Sequence, residues 1–181
     1  MSVSGSDRAD WRILVRGLVH RTQRELLAVL DGLEPDLLDR AAKAGTNSIG
    51  WLLWHLTRSH DRNISELRGS QQVWLSDGWH ARFGRGADPS DTGYRHSRAE
   101  AAAFQSPAPE LVVAYHRAVV DMIDHYLDAA SLDELSRRVA SPTLGDTATV
   151  QDRLVGLLAD GLQHVGQAAL LRGMLERQLP S

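Results

Sequence analysis

The sequence predicts an all-α fold: a four-helix bundle with a long crossover between helices two and three. Three observations predict it. Four long segments carry apolar residues at helical spacing. The stretch from residue 70 to 106 breaks that spacing between the second and third of them. The last segment, LVGLLADGLQHVGQAALL from Leu154 to Leu171, holds only two ionisable side chains, Asp160 and His164. At 181 residues the chain fits one domain spanning 1–181 and is long enough to bury a real core.

The first helix is expected from Asp7 to about Leu33, where Trp11, Leu14, Val15, Leu18, Leu26, Val29, Leu30 and Leu33 keep helical spacing. Gly32 and Pro35 mark its end, and LEPDLLDRAAKAG reads as a short irregular connection. Asn47 or Ser48 can cap a second helix that runs to about Arg68 and stops at Gly69. Its first half, with Ile49, Trp51, Leu52, Leu53, Trp54 and Leu56, is apolar all round, so His55 in its midst should project into protein. Residues 70–106 mix glycines, Pro89 and charges with Trp74, Trp79, Phe83 and Tyr94, with room for a short helix near Arg98 to Phe104. Their aromatic content argues against disorder, and the stretch reads as a crossover that also covers one end of a pocket.

The third helix follows Pro107 and Pro109, from Glu110 to about Ala130, with Leu111, Val112, Tyr115, Val119, Met122, Ile123, Tyr126 and Leu127 on one face. Ser131 to Asp146 reads as loop with room for one turn. Thr149 and Asp152 have the spacing of a capping box and open the fourth helix, which extends to about Glu176.

Composition removes several classes of function. A net charge of −3 supplies no electrostatic reason to bind nucleic acid or an anionic membrane. There is no cysteine, hence neither a disulfide framework nor a protein thiol nucleophile. The opening residues MSVSGSDRAD lack an apolar signal core, and Asp160, His164 and the glutamines and glycines around them argue against a membrane span. A cytoplasmic protein, monomeric or homodimeric, is expected.

Asp160 and His164 stand four residues apart, on the stripe Leu157, Asp160, His164, Ala168, Leu171. A carboxylate in apolar surroundings is costly unless it is paired or coordinates a metal. Such a pair can be a buried structural hydrogen bond, but here it is the only ionisable content of its stretch, and His55 offers another imidazole from a different apolar helix. Two histidines and one carboxylate leave coordination positions open, as catalytic sites do. Zn²⁺ suits the set best, and Ni²⁺ or Fe²⁺ are compatible. His20, His60, His80, His96, His116 and His125 sit among polar neighbours and are expected to be solvated for the most part, with His80 and His96 in the crossover. Trp51, one turn before His55, and Trp54 are candidates to wall the metal cavity. Trp79, Arg82 and Phe83, with Arg85, could hold an anionic or sugar-bearing ligand from the crossover. Phosphate loops, nucleophile elbows, H-E-x-x-H and dinucleotide fingerprints are missing.

The segments NSIGWLLWHLTR and DGLQHVGQ carry a resemblance to the DinB-like superfamily of metal-binding four-helix bundles. DGLQHVGQ resembles that family's H-x-x-x-H-x-G-Q motif, with Asp160 in the place of its first histidine. The N-terminal domain of mycothiol-dependent maleylpyruvate isomerase is similar in pairing a carboxylate-x-x-x-His with a histidine from helix two. The resemblance implies a transferase for mycothiol, bacillithiol or glutathione acting on a small electrophile. Of 20 basic residues only Lys43 is lysine, a usage typical of a GC-rich genome that favours mycothiol. A metal that holds a coordinated thiol as thiolate lets a chain without cysteine perform thiol chemistry. The alternatives are a metal-dependent hydrolase or isomerase, and a stress-response or binding protein whose metal is structural.

Overall fold

A computed structural model describes residues 10–178; the predicted helix start at Asp7 and the opening residues before Asp10 lie outside them. Four long helices form the body. The first, α1 (Trp11–Leu30), starts where the Asp10 side chain accepts from the Arg12 N–H. Next, α2 (Ile49–Arg68) is capped by Ser48, whose hydroxyl accepts from the Trp51 N–H, and ends at Gly69. The crossover folds as three short helices, α3 (Val73–Ser76), α4 (Trp79–Arg82) and α5 (Arg98–Ala102). Then come α6 (Pro109–Ala129) and α7 (Val150–Glu176), the latter opened by a complete Thr149–Asp152 capping box. The connection after α1 contains one 3₁₀ turn, Pro35–Leu37.

The stretch after α6 contains a turn, as expected, in the 3₁₀ segment Glu134–Ser136, but the remainder is an antiparallel hairpin and not loop. Strand β1 (Arg138–Ser141) pairs with β2 (Asp146–Thr149) in the register Arg138 to Thr149 and Ser141 to Asp146. Arg153 of α7 pairs with Asp146, and the Thr143 hydroxyl donates to Glu66 of α2 at 2.6 Å, so the hairpin is tied to both helices.

Helix α2 is the axis of the molecule. It packs against α6, α7, α3 and β1, and every residue from Ile49 to Asn63 is buried. Buried polar groups need partners. Arg58 lies over the Trp74 ring at 4.6 Å and donates to Gln72 Oε1 at 2.8 Å and to the carbonyls of Asp91 and Pro89 at 3.1 and 3.2 Å. Asp61 accepts from the backbone N–H of Val73 and Trp74 at 3.0 and 2.9 Å and from the Tyr115 hydroxyl at 2.8 Å. Arg58 and Asp61 of α2 therefore fasten the crossover to the bundle.

Several sequence expectations need correction here. His60 of α2 and His116 of α6 are fully buried, not solvated, because α2 packs against both α6 and α7 despite the polar neighbours each histidine has in sequence. Trp79 and Phe83 pack on Tyr115, with ring centroids 5.4 and 5.6 Å away, while exposed Arg82 lies over Trp79 at 4.4 Å. By length and composition alone, α7 is apolar enough to cross a membrane. Here it packs on α1 and α2 and leaves Val155, Leu162 and Leu170 exposed.

Candidate metal centre

Helices α2 and α7 face one another, and the repeat of 3.6 residues per turn decides which side chains meet. His55, Ser59 and Arg62 fall on one face of α2; Arg153, Gly156, Leu157 and Asp160 fall on the facing side of α7. The backbones approach closely at Gly161, where a Cβ would lie 2.6 Å from His60 Nε2. Between the helices lies a cavity of about 240 Å³, lined also by Asn63, Tyr94 of the crossover and Leu144 of the hairpin tip.

One ligand atom each from His55, Asp160 and His164 lies within 4.8 Å of the other two. Asp160 Oδ1 is 3.2 Å from His164 Nε2 and 3.8 Å from His55 Nε2, and the two imidazoles meet edge to face with centroids 4.8 Å apart. Both rings are held from behind. His55 Nδ1–H donates to the Thr92 carbonyl at 2.5 Å, and His164 Nδ1–H donates to Gln167 Oε1 at 2.9 Å. A carbonyl oxygen can only accept, so each ring carries a proton on Nδ1; when the ring is protonated its Nε2–H donates to Asp160, and when it is neutral its Nε2 lone pair turns there instead. That is the tautomer a metal site uses, with the other nitrogen pinned by a carbonyl.

The electrostatics show what is lacking. Two imidazole lone pairs and a carboxylate repel one another unless a proton or a cation sits among them. Asp160 Oδ2 is buried and has no partner among the described residues. Burial pushes the Asp160 carboxyl up, but hydrogen bonds from His164 and His55 outweigh it and hold the group well below the usual carboxylate range. Burial likewise pulls His164 down, yet its bonds to Asp160 and Gln167 leave it raised. The cluster is poised to take up positive charge, and its N₂O donor set suits a divalent ion.

The wall beside His55 is aromatic. Trp51 stacks on the His55 ring at 4.9 Å and 12°, and its indole N–H donates to His96 Nδ1 at 3.3 Å. His96 Nε2 faces Asp91 Oδ1 at 3.2 Å, so a chain of contacts from Asp91 steadies the ring that steadies His55.

The other four residues put forward as ligand-binding from sequence are placed elsewhere. Trp54 is fully buried behind Trp51, packed on Phe104 at 4.8 Å; Trp79 and Phe83 belong to the core around Tyr115; Arg82 lies outside. Neither these four nor Trp51 lines the cavity itself; Trp51 reaches it only through the His55 ring. Sequence reasoning missed Ser59, Arg62 and Thr92. Their signal was present for the first two, which stand four and seven residues after His55 on its own face.

Comparison with known proteins agrees with this architecture. A family model described as the DinB superfamily matches residues 18–168. The crystal structure of a conserved protein from Enterococcus faecalis superposes with a TM-score of 0.80 at 25% identity, over 93% of this chain and 98% of that one. No curated protein matches the sequence.

Proposed function

Because this chain belongs to the DinB superfamily, whose bundles bind metal, we propose that it is a metal-dependent S-transferase for a low-molecular-weight thiol, with His55, Asp160 and His164 as the ligands. The observation that carries the metal is the convergence of two Nε2 atoms on Asp160 while Asp160 Oδ2 stays buried with no partner among the described residues. A divalent cation held by these three residues, Zn²⁺ by preference, would supply the Lewis acidity that lowers the pKa of a bound thiol.

The chain's own residues do the rest. Thr92 and Gln167 hold a proton on Nδ1 of each ring and so leave Nε2 as the nitrogen that can meet a cation. Trp51 closes the back of the site against water. With no cysteine in the chain, the nucleophilic sulfur must come from a cosubstrate. Mycothiol is the proposed cosubstrate, on the arginine-rich composition that favours a GC-rich source. A cavity of about 240 Å³ takes the cysteinyl end of such a molecule and the reacting end of a small electrophile. Reduced thiols of this kind belong to the cytoplasm, where the reaction is placed.

The test combines metal analysis of the purified protein with thermal shifts by mycothiol, bacillithiol and glutathione and conjugation of monochlorobimane. One bound divalent ion, stabilisation by one of the thiols, and loss of both metal and conjugation in His164→Ala are expected. Metal-replete protein that conjugates none of these thiols to any electrophile tried overturns the transferase reading.

A further inference from the structure

Arg62 is 7% exposed, lines the cavity beside His55 and Asp160, and makes no hydrogen bond or ion pair with any described residue. A buried guanidinium normally has a counterion, since its desolvation is otherwise uncompensated. The other arginine of the cavity already has one, Asp146. The carboxylates that act on Arg62 are those of Glu66, one turn beyond it, and Asp160, neither of them within ion-pair distance; Glu66 Oε1 is taken by the Thr143 hydroxyl at 2.6 Å and its Oε2 also lacks a partner.

We propose that Arg62 is the anion anchor of this cavity and that the small molecule brought to His55, Asp160 and His164 carries a carboxylate. The proposal rests on the metal-site reading above and names the substrate class for it. The planar fork of donors on arginine matches a carboxylate face to face. Charge balance favours a monoanion: in the lining Asp152 and Asp160 offset Arg62 and Arg153, and a divalent ion with its bound thiolate would leave one positive charge, which a doubly charged phosphate would overshoot. Position fixes the size. His55 and Arg62 are seven residues, about 10 Å, apart along α2, and helical side chains lean towards the N-terminus, which turns Arg62 back towards His55. At about 30 Å³ per water the cavity of about 240 Å³ has room for roughly eight, so the acid is compact.

The test uses metal-free, ¹⁵N-labelled full chain, so that no cation can hold the acid. The Arg62 Nε–H resonance is assigned by its loss in Arg62→Gln and followed during titration with propionate. A saturable shift is expected, with binding weakened tenfold or more in Arg62→Gln and less in Arg62→Lys. A stationary resonance, or equal propionate affinity in Arg62→Gln, overturns the proposal. So does a Glu66→Gln variant that moves the unliganded resonance as far as propionate does, since Glu66 would then be the partner. Zinc content measured in parallel separates the two readings: wild type that takes no zinc but shows the propionate response sinks the metal site and leaves the anchor standing.

Discussion

His55 donates from Nδ1 to the carbonyl of Thr92 at 2.5 Å, so the crossover, not the helix that carries the ring, decides which nitrogen faces the cavity. The next residue, Gly93, has φ +83° and packs so tightly that a Cβ would lie 2.9 Å from both His55 Nδ1 and Trp51. Gly93→Ala therefore meets a backbone penalty of about 1–2 kcal/mol and displaces the ring's partner. A lower melting temperature and a loss of zinc affinity of about 10–100-fold are expected, read by calorimetric titration. Unchanged affinity would show that Thr92 has no part in orienting His55.

Metal binding should tighten with pH. His164 is raised above its ordinary value, so a proton must leave before a cation can be held, and the dissociation constant should improve about tenfold per pH unit until the proton is gone. The metal-free protein behaves oppositely. The raised His164 adds stability below its unfolded pKa, lost as pH rises through the folded one; the depressed Asp160 adds stability above its unfolded pKa, lost as pH falls through the folded one. Their coupling, from a double-mutant cycle with Asp160→Asn and His164→Gln, should be larger at pH 5.5 than at pH 8.5. Equal coupling at both would refute it.

Acid should unfold the protein through a different pair. His60 and His116 are wholly buried, and burial pulls them down to about 4 and about 3. His60 donates from Nε2 to the Leu157 carbonyl at 3.2 Å and His116 from Nδ1 to the Thr57 hydroxyl at 3.0 Å, which leaves one bare nitrogen on each ring. Below about pH 6.5 the unfolded chain binds protons that the folded one refuses, so stability falls as pH drops, by about 1.4 kcal/mol per unit for each histidine. Urea unfolding from pH 7 to 4.5 should show this slope, and His116→Gln should remove about half of it.

Asp61→Ala should be the most damaging single change outside the cavity. It strands Arg58 at full burial and orphans the N–H groups of Val73 and Trp74, for a cost of about 3–5 kcal/mol. Chemical denaturation measures the loss. Asp61→Asn, which keeps an acceptor, should cost less, and an equal cost for the two would mean that charge alone is what Arg58 needs.

The legible part of this protein was its apolar periodicity. The four long helices, the Ser48 and Thr149 caps and the Gly69 stop follow from local chemistry that each segment carries by itself. The cluster of His55, Asp160 and His164 was legible for the same reason, since ionisable groups stand out against oily neighbours on their own helix. What a helix meets across space was not written so locally. His60, Arg58 and Asp61 sit in a polar run, and only the packing of α6, α7 and the crossover shows that the run is buried. The hairpin was missed because its strands are four residues long and read RVAS and DTAT, with too little alternation to announce a sheet. Trp79 and Phe83 were assigned to the ligand as aromatic loop residues, when Tyr115 had the stronger claim on them.

That hairpin brings Leu144 to one rim of the cavity, opposite Tyr94 at the other. Neither residue belongs to the bundle, while the three candidate ligands do. Evolution could therefore exchange the hairpin tip or the crossover tip, resetting which molecules are admitted, while the helical frame beneath kept the same reactive centre.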